Sequence, residues 1–310
     1  MEAALESFVL RGESDIQLMR DLIEHLPGDS TVVDFEESML LSSVRATTRL
    51  WQDNEKIVGF AFVDDYNNLR FEIEAESRTI QLEDEIMKWG TSCVKKRNIE
   101  SASNHTLDAA FSTDKVWQIA MLERGGFVRS SRRTLRYARS LSEPLIPYAF
   151  PSGFSLGAAG DYDVERLVAL HRAAFGTENM TVAQRLAVMQ APGYEEDLDI
   201  VAVSPEGDLV AFCICGFEDE DDTKRVGFTD PIGTHPAYQR RGLGKAIVMA
   251  GLKRLRNRGV SIVELGTSST NLPMQRLAES MDFSCVSEKL WFSKEVLSAP
   301  NTNVFRSSRQ

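Results

Sequence analysis

The sequence lacks the features that define several large protein classes. It contains four cysteines but no C-x-x-C pair, so neither a disulfide scaffold nor a paired-cysteine metal site is expected. Its longest apolar stretches, at residues 209–215 and 246–252, are far shorter than the ~20 residues of a membrane-spanning helix. No basic segment followed by an apolar block occurs near residue 1, so no signal peptide is expected. These absences favour a cytoplasmic protein.

An excess of positive charge is also absent. The chain has 35 basic and 46 acidic side chains, which gives a formal net charge of −11 over 310 residues. Because such a surface repels phosphate on average, neither a nucleic acid nor a membrane is expected as a partner. The charge is uneven, however: residues 231–263 contain seven basic side chains and no acidic one. A small anionic ligand is therefore expected at this segment.

The length and the order of predicted elements indicate two domains. Three prolines and a glycine interrupt the helical and strand patterns near residue 150, and we predict a linker at 144–153. The domains are then 1–143 and 154–297, followed by a flexible tail at 298–310. On both sides of the linker the predicted order is strand, helix, hairpin, strand, helix, strand, helix and strand. This repeat predicts a duplicated α/β fold with a mixed sheet.

The most informative segment, residues 234–246 (THPAYQRRGLGKA), joins a predicted strand to a predicted helix. A strand, a glycine loop and a helix N-terminus can together bind phosphate, because backbone N–H groups and the positive end of the helix face the anion. Gly242 and Gly244 remove side chains where a ligand would approach the backbone. The basic side chains around them add positive charge.

Three phosphate-binding motifs can be compared with this loop. A P-loop requires G-x-x-x-x-G-K-[ST], but Gln239 and Ala246 occupy its first and last positions. A dinucleotide-binding loop requires a third glycine where Ile247 stands, although Glu264 in the next strand is suggestive. The pattern Q-x-x-G-x-G is matched at every fixed position by residues 239–244. This segment resembles the pyrophosphate-binding motif of the GNAT family of acetyl-CoA-dependent N-acetyltransferases.

The resemblance extends to both sides of the motif. Residues 232–236 resemble the family's strand before the glycine loop, and residues 259–265 resemble the strand after the motif helix. Residues 271–283 resemble the family's N-x-x-A-x-x-L-Y-x-x-x-G-F segment. The resemblance covers residues 209–292 and implies a GNAT fold for the second half.

The first half resembles the family less closely. Residues 117–127 (WQIAMLERGGF) resemble the last helix of the family and its G-F ending. The glycine loop is replaced by residues 77–82 (SRTIQL), which contain no glycine, so the backbone cannot approach a pyrophosphate as closely. We therefore predict a tandem GNAT protein with a degenerate N-terminal copy, an arrangement that resembles that of the mycothiol synthases.

The resemblance implies acetyl-CoA as the co-substrate and assigns its contacts. The backbone of the strand before the loop would pair with the pantetheine arm and polarise the thioester carbonyl. The loop would hold the pyrophosphate, and the amide of Asn271 would hold the far side of the co-substrate. The cofactor-binding residues assigned in this way are Ile232, Gly233, Thr234, Gln239, Arg240, Arg241, Gly242, Leu243, Gly244, Lys245 and Asn271.

Acetyl transfer to an amine also requires a base, because an alkylamine with a pKa of ~10 is charged at neutral pH. Asp230 and Glu218 occupy strand positions that face the expected cleft, and the family often has a carboxylate near each. A carboxylate can act as the base if burial raises its pKa. Either can instead be a solvated charge. Glu218 begins an acidic run, 218–222, that is typical of a solvated loop or could attract a cationic substrate.

The general acid departs from the family pattern. Ala278 stands where the family usually has tyrosine, and Asp282 replaces the usual glycine before phenylalanine. Since alanine cannot donate a proton, either another group or water protonates the leaving thiolate, or the domain binds acetyl-CoA without efficient turnover.

The predicted function is therefore an acetyl-CoA-dependent N-acetyltransferase that acts on an amine of a small molecule or peptide, with its active site in the C-terminal domain. The alternative is a non-catalytic module that binds acyl-CoA. A third interpretation is a nucleotide-binding domain of the dehydrogenase type. No metal site is predicted, and Cys213 and Cys215, two apart in a strand, are expected to pack in the core.

Overall fold

The computed structural model of the chain describes residues 5–25, 32–54, 56–145, 147–221 and 224–297. The chain divides into two compact units. The first unit comprises Met1–Val32, Ser42–Ser131 and Leu290–Gln310, and the second comprises Val33–Leu41 and Arg132–Lys289. The predicted tail lies outside the described residues.

The limits of the units do not follow a single cut along the chain. Residues 33–41 group with the second unit although they precede most of the first. Strands β6 (Val128–Ser140) and β12 (Ser284–Lys294) each cross a limit between the units. The predicted domain limits, drawn from the repeat of elements, stay a prediction.

The first unit contains a four-stranded antiparallel sheet in the order β1-β2-β3-β4, and β5 follows β4 in the parallel direction. Its strands are β1 (Glu6–Val9), β2 (Arg49–Asp53), β3 (Lys56–Val63), β4 (Leu69–Ile73) and β5 (Leu107–Ser112). Its helices are α1 (Glu13–His25), α3 (Ser42–Arg45), α4 (Ile80–Ser101) and α5 (Val116–Arg124). Strand β3 is buried from Ile57 to Val63, and it packs with α4 around one apolar core.

The second unit contains strands in the order β12-β6-β11-β10-β9-β8-β7, in which β10 and β11 are parallel. Its remaining strands are β7 (Ser155–Ala158), β8 (Asp199–Val203), β9 (Leu209–Asp221), β10 (Lys224–Thr234) and β11 (Ile262–Ser268). Its helices are α2 (Val32–Met39), α6 (Val164–Phe175), α7 (Val182–Gln190), α8 (Leu243–Asn257) and α9 (Leu272–Glu279).

Helices cover the two faces of this second sheet. Alternate residues of β9 point to opposite faces. Phe212 and Ile214 pack with α6, whereas Cys213 and Cys215 pack with α8. Both cysteines are buried in the core, as predicted. The sheet thus holds α6 on one face and α8 on the other.

The mixed α/β fold predicted from the sequence is confirmed, with several local differences. Helix α2 and the short α3 were not predicted, and β5 is the strand that the predicted order places between the last two helices of the first half. The expectation of a solvated loop at the acidic run is wrong for residues 218–221, because β9 continues to Asp221 and pairs with β10. Arg225 on β10 forms an ion pair with Asp219 on β9 at 2.7 Å. This cross-strand pair of opposite charges stabilises the acidic end of β9.

Candidate functional site

The two parallel strands of the second unit separate partway along their length. Strand β10 pairs with β11 only from Val226 to Phe228, opposite residues 262–264, although both strands continue further. A register shift between Thr229 and Ile232 marks a bulge against β9. A bulge bends a strand and redirects its side chains. The second half of β10 therefore faces a cleft rather than a neighbouring strand.

Asp230 lies in this bulge. Its carboxyl accepts a hydrogen bond from the backbone N–H of Gly266 on β11, and Oδ2 lies 3.1 Å from where a Cβ on Gly266 would be. Asp230 keeps solvent access, but protein atoms surround the carboxyl closely. This desolvation, together with the negative charge of Asp34, raises its pKa to about 7, against the opposing effect of the Gly266 hydrogen bond. A group with such a pKa can accept a proton at neutral pH.

The predicted glycine loop follows β10 and ends in helix α8. Gly242 is the residue before the helix and has φ +81°, and Arg240, two residues earlier, has φ +59°. Left-handed residues alternating with ordinary ones turn successive N–H groups toward one side. No side chain caps the helix, and the first backbone bond into it runs from the N–H of Ala246 to the carbonyl of Gly242.

Consequently, the six backbone N–H groups of residues 240–245 have no acceptor among the described residues. A Cβ added to Gly244 would make ordinary van der Waals contacts with Leu277 at 3.4 Å and with the Thr234 hydroxyl at 3.7 Å. Consecutive free donors around two glycines fit the oxygens of a pyrophosphate. The loop therefore fits the diphosphate group that the sequence predicted for it.

The basic side chains of the loop point mainly to protein groups. Lys245 donates from Nζ to the carbonyl of Ser280 at 2.9 Å. The guanidinium of Arg241 lies 5.0 Å from the ring centre of Tyr238. Arg240 is exposed and has no hydrogen-bonded or ionic partner within the described part of the chain. Of the three cations of the loop, two therefore contact protein groups and Arg240 does not.

The strand residues predicted to contact pantetheine lie at the end of β10. Ile232, Gly233 and Thr234 pair with β9 beyond the bulge, at the part of β10 that has left β11. A side chain at 233 would collide with Phe212 and Ala174. Gln239 donates from Nε2 to the carbonyl of Thr234 at 3.3 Å, which links the strand to the loop. The strand end and the glycine loop are therefore adjacent.

Three other sequence-predicted positions have clear surroundings. Asn271 caps α9 by accepting from the N–H of Met274 at 3.2 Å, which leaves its NH₂ group to donate elsewhere. Ala278 is completely buried in the core, so no proton donor reaches the cleft from this position. Glu218 pairs with Val226, four residues before Asp230, about 13 Å away at ~3.3 Å per residue. The structure does not bring the two predicted carboxylates together.

Several groups near Asp230 were missed by the sequence analysis. Helix α2 carries Asp34 and the half-buried Glu37, whose pKa is raised to about 7 by burial and by Asp34, against the effect of Arg185. Arg185 and Asp199 form a buried ion pair, and the Tyr194 hydroxyl donates to Asp199 at 2.9 Å. The spacing of the apolar residues at 35 and 39 is a sequence signal for α2. Nothing in the local sequence predicts that α2 packs with the second unit.

His171 stands beside this ion pair. Its ring stacks on Phe175 and Phe212, with centroids 4.7 Å and 5.3 Å away. Burial and the charge of Arg185 lower its pKa to about 4, so the imidazole is neutral at pH 7. A cavity of about 10 Å³, enough for roughly one water molecule, lies between His171 and Arg185. The cavity is otherwise lined by the apolar side chains of Leu167, Leu170, Phe212 and Ile214.

The first unit has a different structure at the corresponding helix start. Thr79 caps α4, and its hydroxyl accepts from the N–H of Leu82 at 3.2 Å. Glu83 follows in the first turn and accepts from Arg124 and from the indole of Trp117. The helix start is thus bonded within the chain itself.

Searches of the described residues for other kinds of site gave negative results. No group of three or more metal-ligating side chains was found in the part of the chain that the structure describes. Likewise, none of the described helices combines the length and the apolar character needed to cross a membrane. The four cysteines are free thiols.

The chain was then compared with known proteins. Residues 164–283 match the model of the Acetyltransferase (GNAT) family. A mycothiol acetyltransferase of Propionibacterium freudenreichii subsp. shermanii is 29% identical over 147 residues, which is 46% of this chain and 47% of that protein. The chain spans about half the length of the curated relatives it matches.

Two solved structures resemble almost the whole chain. A tandem GNAT protein from the clavulanic acid biosynthesis pathway has a TM-score of 0.67 and 15% identity, covering 96% of this chain and 100% of that one. A GCN5-related N-acetyltransferase from Sphaerobacter thermophilus has a TM-score of 0.64 and 18% identity, covering 96% and 98%. These likenesses establish the tandem GNAT fold.

Proposed function

We propose that this chain, a tandem protein whose residues 164–283 belong to the GNAT acetyltransferase family, transfers the acetyl group of acetyl-CoA to an amine in its second unit. The observation that carries the proposal is the run of six free backbone N–H groups at residues 240–245 beside the cleft of β10 and β11. The loop would bind the pyrophosphate, and the end of β10 would hold the pantetheine arm. The acceptor would be an amine of a small molecule or peptide.

In this proposal Asp230 is the general base. Its carboxylate accepts a proton from the ammonium form of the substrate, and the free amine attacks the thioester carbonyl. The nitrogen of the tetrahedral intermediate loses its second proton to water, the carbon–sulfur bond breaks, the thiolate takes a proton from water, and an amide and CoA are formed. The backbone N–H groups of the cleft strand would stabilise the oxyanion of the tetrahedral intermediate. Glu218, which was also predicted as a base, is the weaker candidate because it lies on β9 opposite Val226, four residues before Asp230.

The leaving thiolate lacks the usual tyrosine donor. Because Ala278 is buried in the core, we propose that water protonates the thiolate. CoA thiolate is a fair leaving group, so this change slows the reaction without preventing it. The same observation favours a second candidate function, in which the chain binds acyl-CoA without transferring the acyl group.

The curated relatives are named mycothiol acetyltransferases, which supports a small-molecule amine as the acceptor. The variable segments that build acceptor pockets, such as residues 173–192, do not identify that amine. A cytoplasmic location also stays a proposal.

The base can be tested through the pH dependence of thiol release from acetyl-CoA over a panel of amines. Below pH 7 the Asp230 carboxyl is protonated and cannot accept a proton, so kcat/KM should fall about tenfold per pH unit on the acidic side. Asp230→Asn should lower the rate ~100-fold or more and abolish this fall, the acidic limb of the pH profile. Glu37→Gln is the matched control, since Glu37 has a similar pKa but should leave the limb intact.

Two results would contradict the proposal. If thiol release never exceeds background hydrolysis although acetyl-CoA binds, the chain is a binding module. If the acidic limb persists in Asp230→Asn and disappears in Glu37→Gln, the base is on α2.

A further inference from the structure

A tyrosine of the predicted linker contacts the glycine loop. The hydroxyl oxygen of Tyr148 lies 2.6 Å from the position that a Cβ on Gly242 would occupy, and Pro151 approaches the same position at 3.8 Å. Gly242 has φ +81°, which favours glycine, and the end of the Tyr148 side chain lies directly beside it. The segment that contains Tyr148 belongs to the same compact unit as the loop.

The phenol also contacts the first turn of α8. The ammonium of Lys245 lies 5.5 Å from the centre of the Tyr148 ring while it donates to Ser280. This cation–π geometry fixes the ring beside the helix start. Tyr148 remains 42% exposed, and its hydroxyl has no hydrogen-bond partner in the part of the chain that is described. The O–H group is thus available to a ligand on the loop.

Two of the three cations of the loop are engaged with protein groups in the arrangement observed, whereas Arg240 is exposed. Lys245 is already bonded to Ser280, and Arg241 lies over Tyr238. The Tyr148 hydroxyl is a polar side-chain group in direct proximity to Gly242, in the middle of the free N–H groups of residues 240–245. A hydroxyl that donates to a phosphate oxygen forms a charge-assisted hydrogen bond, which is stronger than a bond between neutral groups.

We propose that Tyr148 is a side-chain ligand of the acyl-CoA pyrophosphate, so that residues 147–151 form one wall of the phosphate site. This proposal rests on the proposed function, since it requires that residues 240–245 bind acyl-CoA. The phenol would donate one hydrogen bond to a pyrophosphate oxygen, and the backbone N–H groups would donate the others. Lys245 would act indirectly, by holding the ring in place.

The test is the affinity for CoA of the full chain and of Tyr148→Phe, measured by isothermal titration calorimetry. The variant keeps the ring and removes only the O–H. Its Kd for CoA should rise about tenfold, as expected when one hydrogen bond to a charged group is lost. The thermal midpoint of the free protein should not change. Tyr66→Phe is the matched control, because Tyr66 is similarly exposed but lies in the first unit, and it should leave the Kd unchanged.

Two ligand analogues locate the lost bond. Dephospho-CoA keeps the pyrophosphate and lacks the 3′-phosphate, so Tyr148→Phe should weaken its binding by the same factor. Pantetheine has no phosphate, so the variant and the parent should bind it equally. A loss that disappears with dephospho-CoA would overturn the assignment to the pyrophosphate. A loss that persists with pantetheine would show that the variant disturbs the cleft instead.

Failure of this proposal can be told apart from failure of the proposed function. If the parent chain binds CoA and Tyr148→Phe binds it equally well, the role of Tyr148 is wrong and the proposed function stands. If the parent chain binds no CoA, the proposed function is wrong and the role of Tyr148 falls with it.

Discussion

The two units contain the same strand–helix–strand element but begin its helix in opposite ways. In the first unit this element is β4, α4 and β5, and in the second it is β10, α8 and β11. Helix α4 begins with Thr79, whose side chain bonds to the helix, and carries an acid in its first turn. Helix α8 begins with Gly242, has no side-chain cap and has no acid in its first turn.

This difference separates stability from binding. Negative charge and a capping hydroxyl stabilise a helix N-terminus, whereas a cation near it is unfavourable. Helix α4 satisfies these rules, and α8, with Lys245 in its first turn, does not. A helix start that is poorly satisfied by its own chain keeps its donors free for an anion. The second unit therefore has the features of a site, and the first has the features of a stable helix.

The space between the parallel strands also differs between the two units. In the first unit, the ring of Phe71 on β4 contacts Phe111 on β5, with centroids 5.2 Å apart, and Trp117 at 6.2 Å. In the second unit, the corresponding place contains the carboxyl of Asp230 against Gly266. Aromatic packing thus fills one cleft, and a titratable group lines the other.

The largest expected effect comes from emptying the aromatic cleft. Phe71→Ala should lower the free energy of unfolding of the first unit by about 3–5 kcal/mol, because a buried ring is replaced by a cavity. Tryptophan fluorescence reports this unit selectively, since Trp51, Trp89, Trp117 and Trp291 all belong to it. Affinity for CoA should not change. A loss of CoA affinity at temperatures where the variant is folded would mean that the first unit supports the site.

The next largest effect should be the loss of acetyl-CoA affinity when Gly244 of the second unit is replaced. Gly244→Glu places bulk and negative charge among the free N–H groups, so the Kd for acetyl-CoA should rise at least ~100-fold, or about 2.7 kcal/mol. The matched change in the first unit, Gln81→Glu at the exposed start of α4, should leave the Kd unchanged. Titration calorimetry of both variants checks this. If Gln81→Glu is instead the variant that loses binding, the conclusion that the second unit contains the site is wrong.

Features that depend only on residues close together in the chain could be predicted from the sequence. The loop at 239–244 and the strands and helix around it depend on local glycine, charge and apolar periodicity, and the structure contains these elements near the predicted positions. The two buried cysteines follow from their spacing in a strand of the second unit. Local pattern was therefore sufficient for the α/β fold.

Features that depend on distant parts of the chain could not be predicted. The pKa of Asp230 is set by desolvation of its carboxyl group, by Asp34 on α2 and by the N–H of Gly266 on β11, which are far apart in sequence. The contact of Tyr148 with Gly242 likewise joins residues separated by two helices and four strands. The strand at the acidic run was missed because like charges suggest a loop, whereas its pairing with β10 decides the structure.

A smaller effect is expected from removing the cap of α4. Thr79→Ala should lower the stability of the first unit by about 1 kcal/mol, because the N–H of Leu82 loses its acceptor. The midpoint of denaturant unfolding followed by tryptophan fluorescence measures this. Thr113→Ala, at an exposed residue outside the helices, is the control and should change stability by less than ~0.5 kcal/mol. If the two variants are equally stable, α4 does not depend on its cap and the contrast with α8 is weaker.

The smallest effect should have the opposite sign. Gly244→Ala should stabilise the second unit by about 0.5–1 kcal/mol, because alanine restricts the unfolded chain and the new methyl group would find only ordinary contacts with Leu277 and Thr234. Hydrogen exchange of the α8 peptide measures the change in the absence of ligand. A more stable helix start with weaker acetyl-CoA binding would show that the glycine is retained for the ligand at the expense of the fold. A destabilised helix would show that a methyl group does not fit beside Leu277, and the glycine at 244 would then be explained by the packing of the protein rather than by ligand binding.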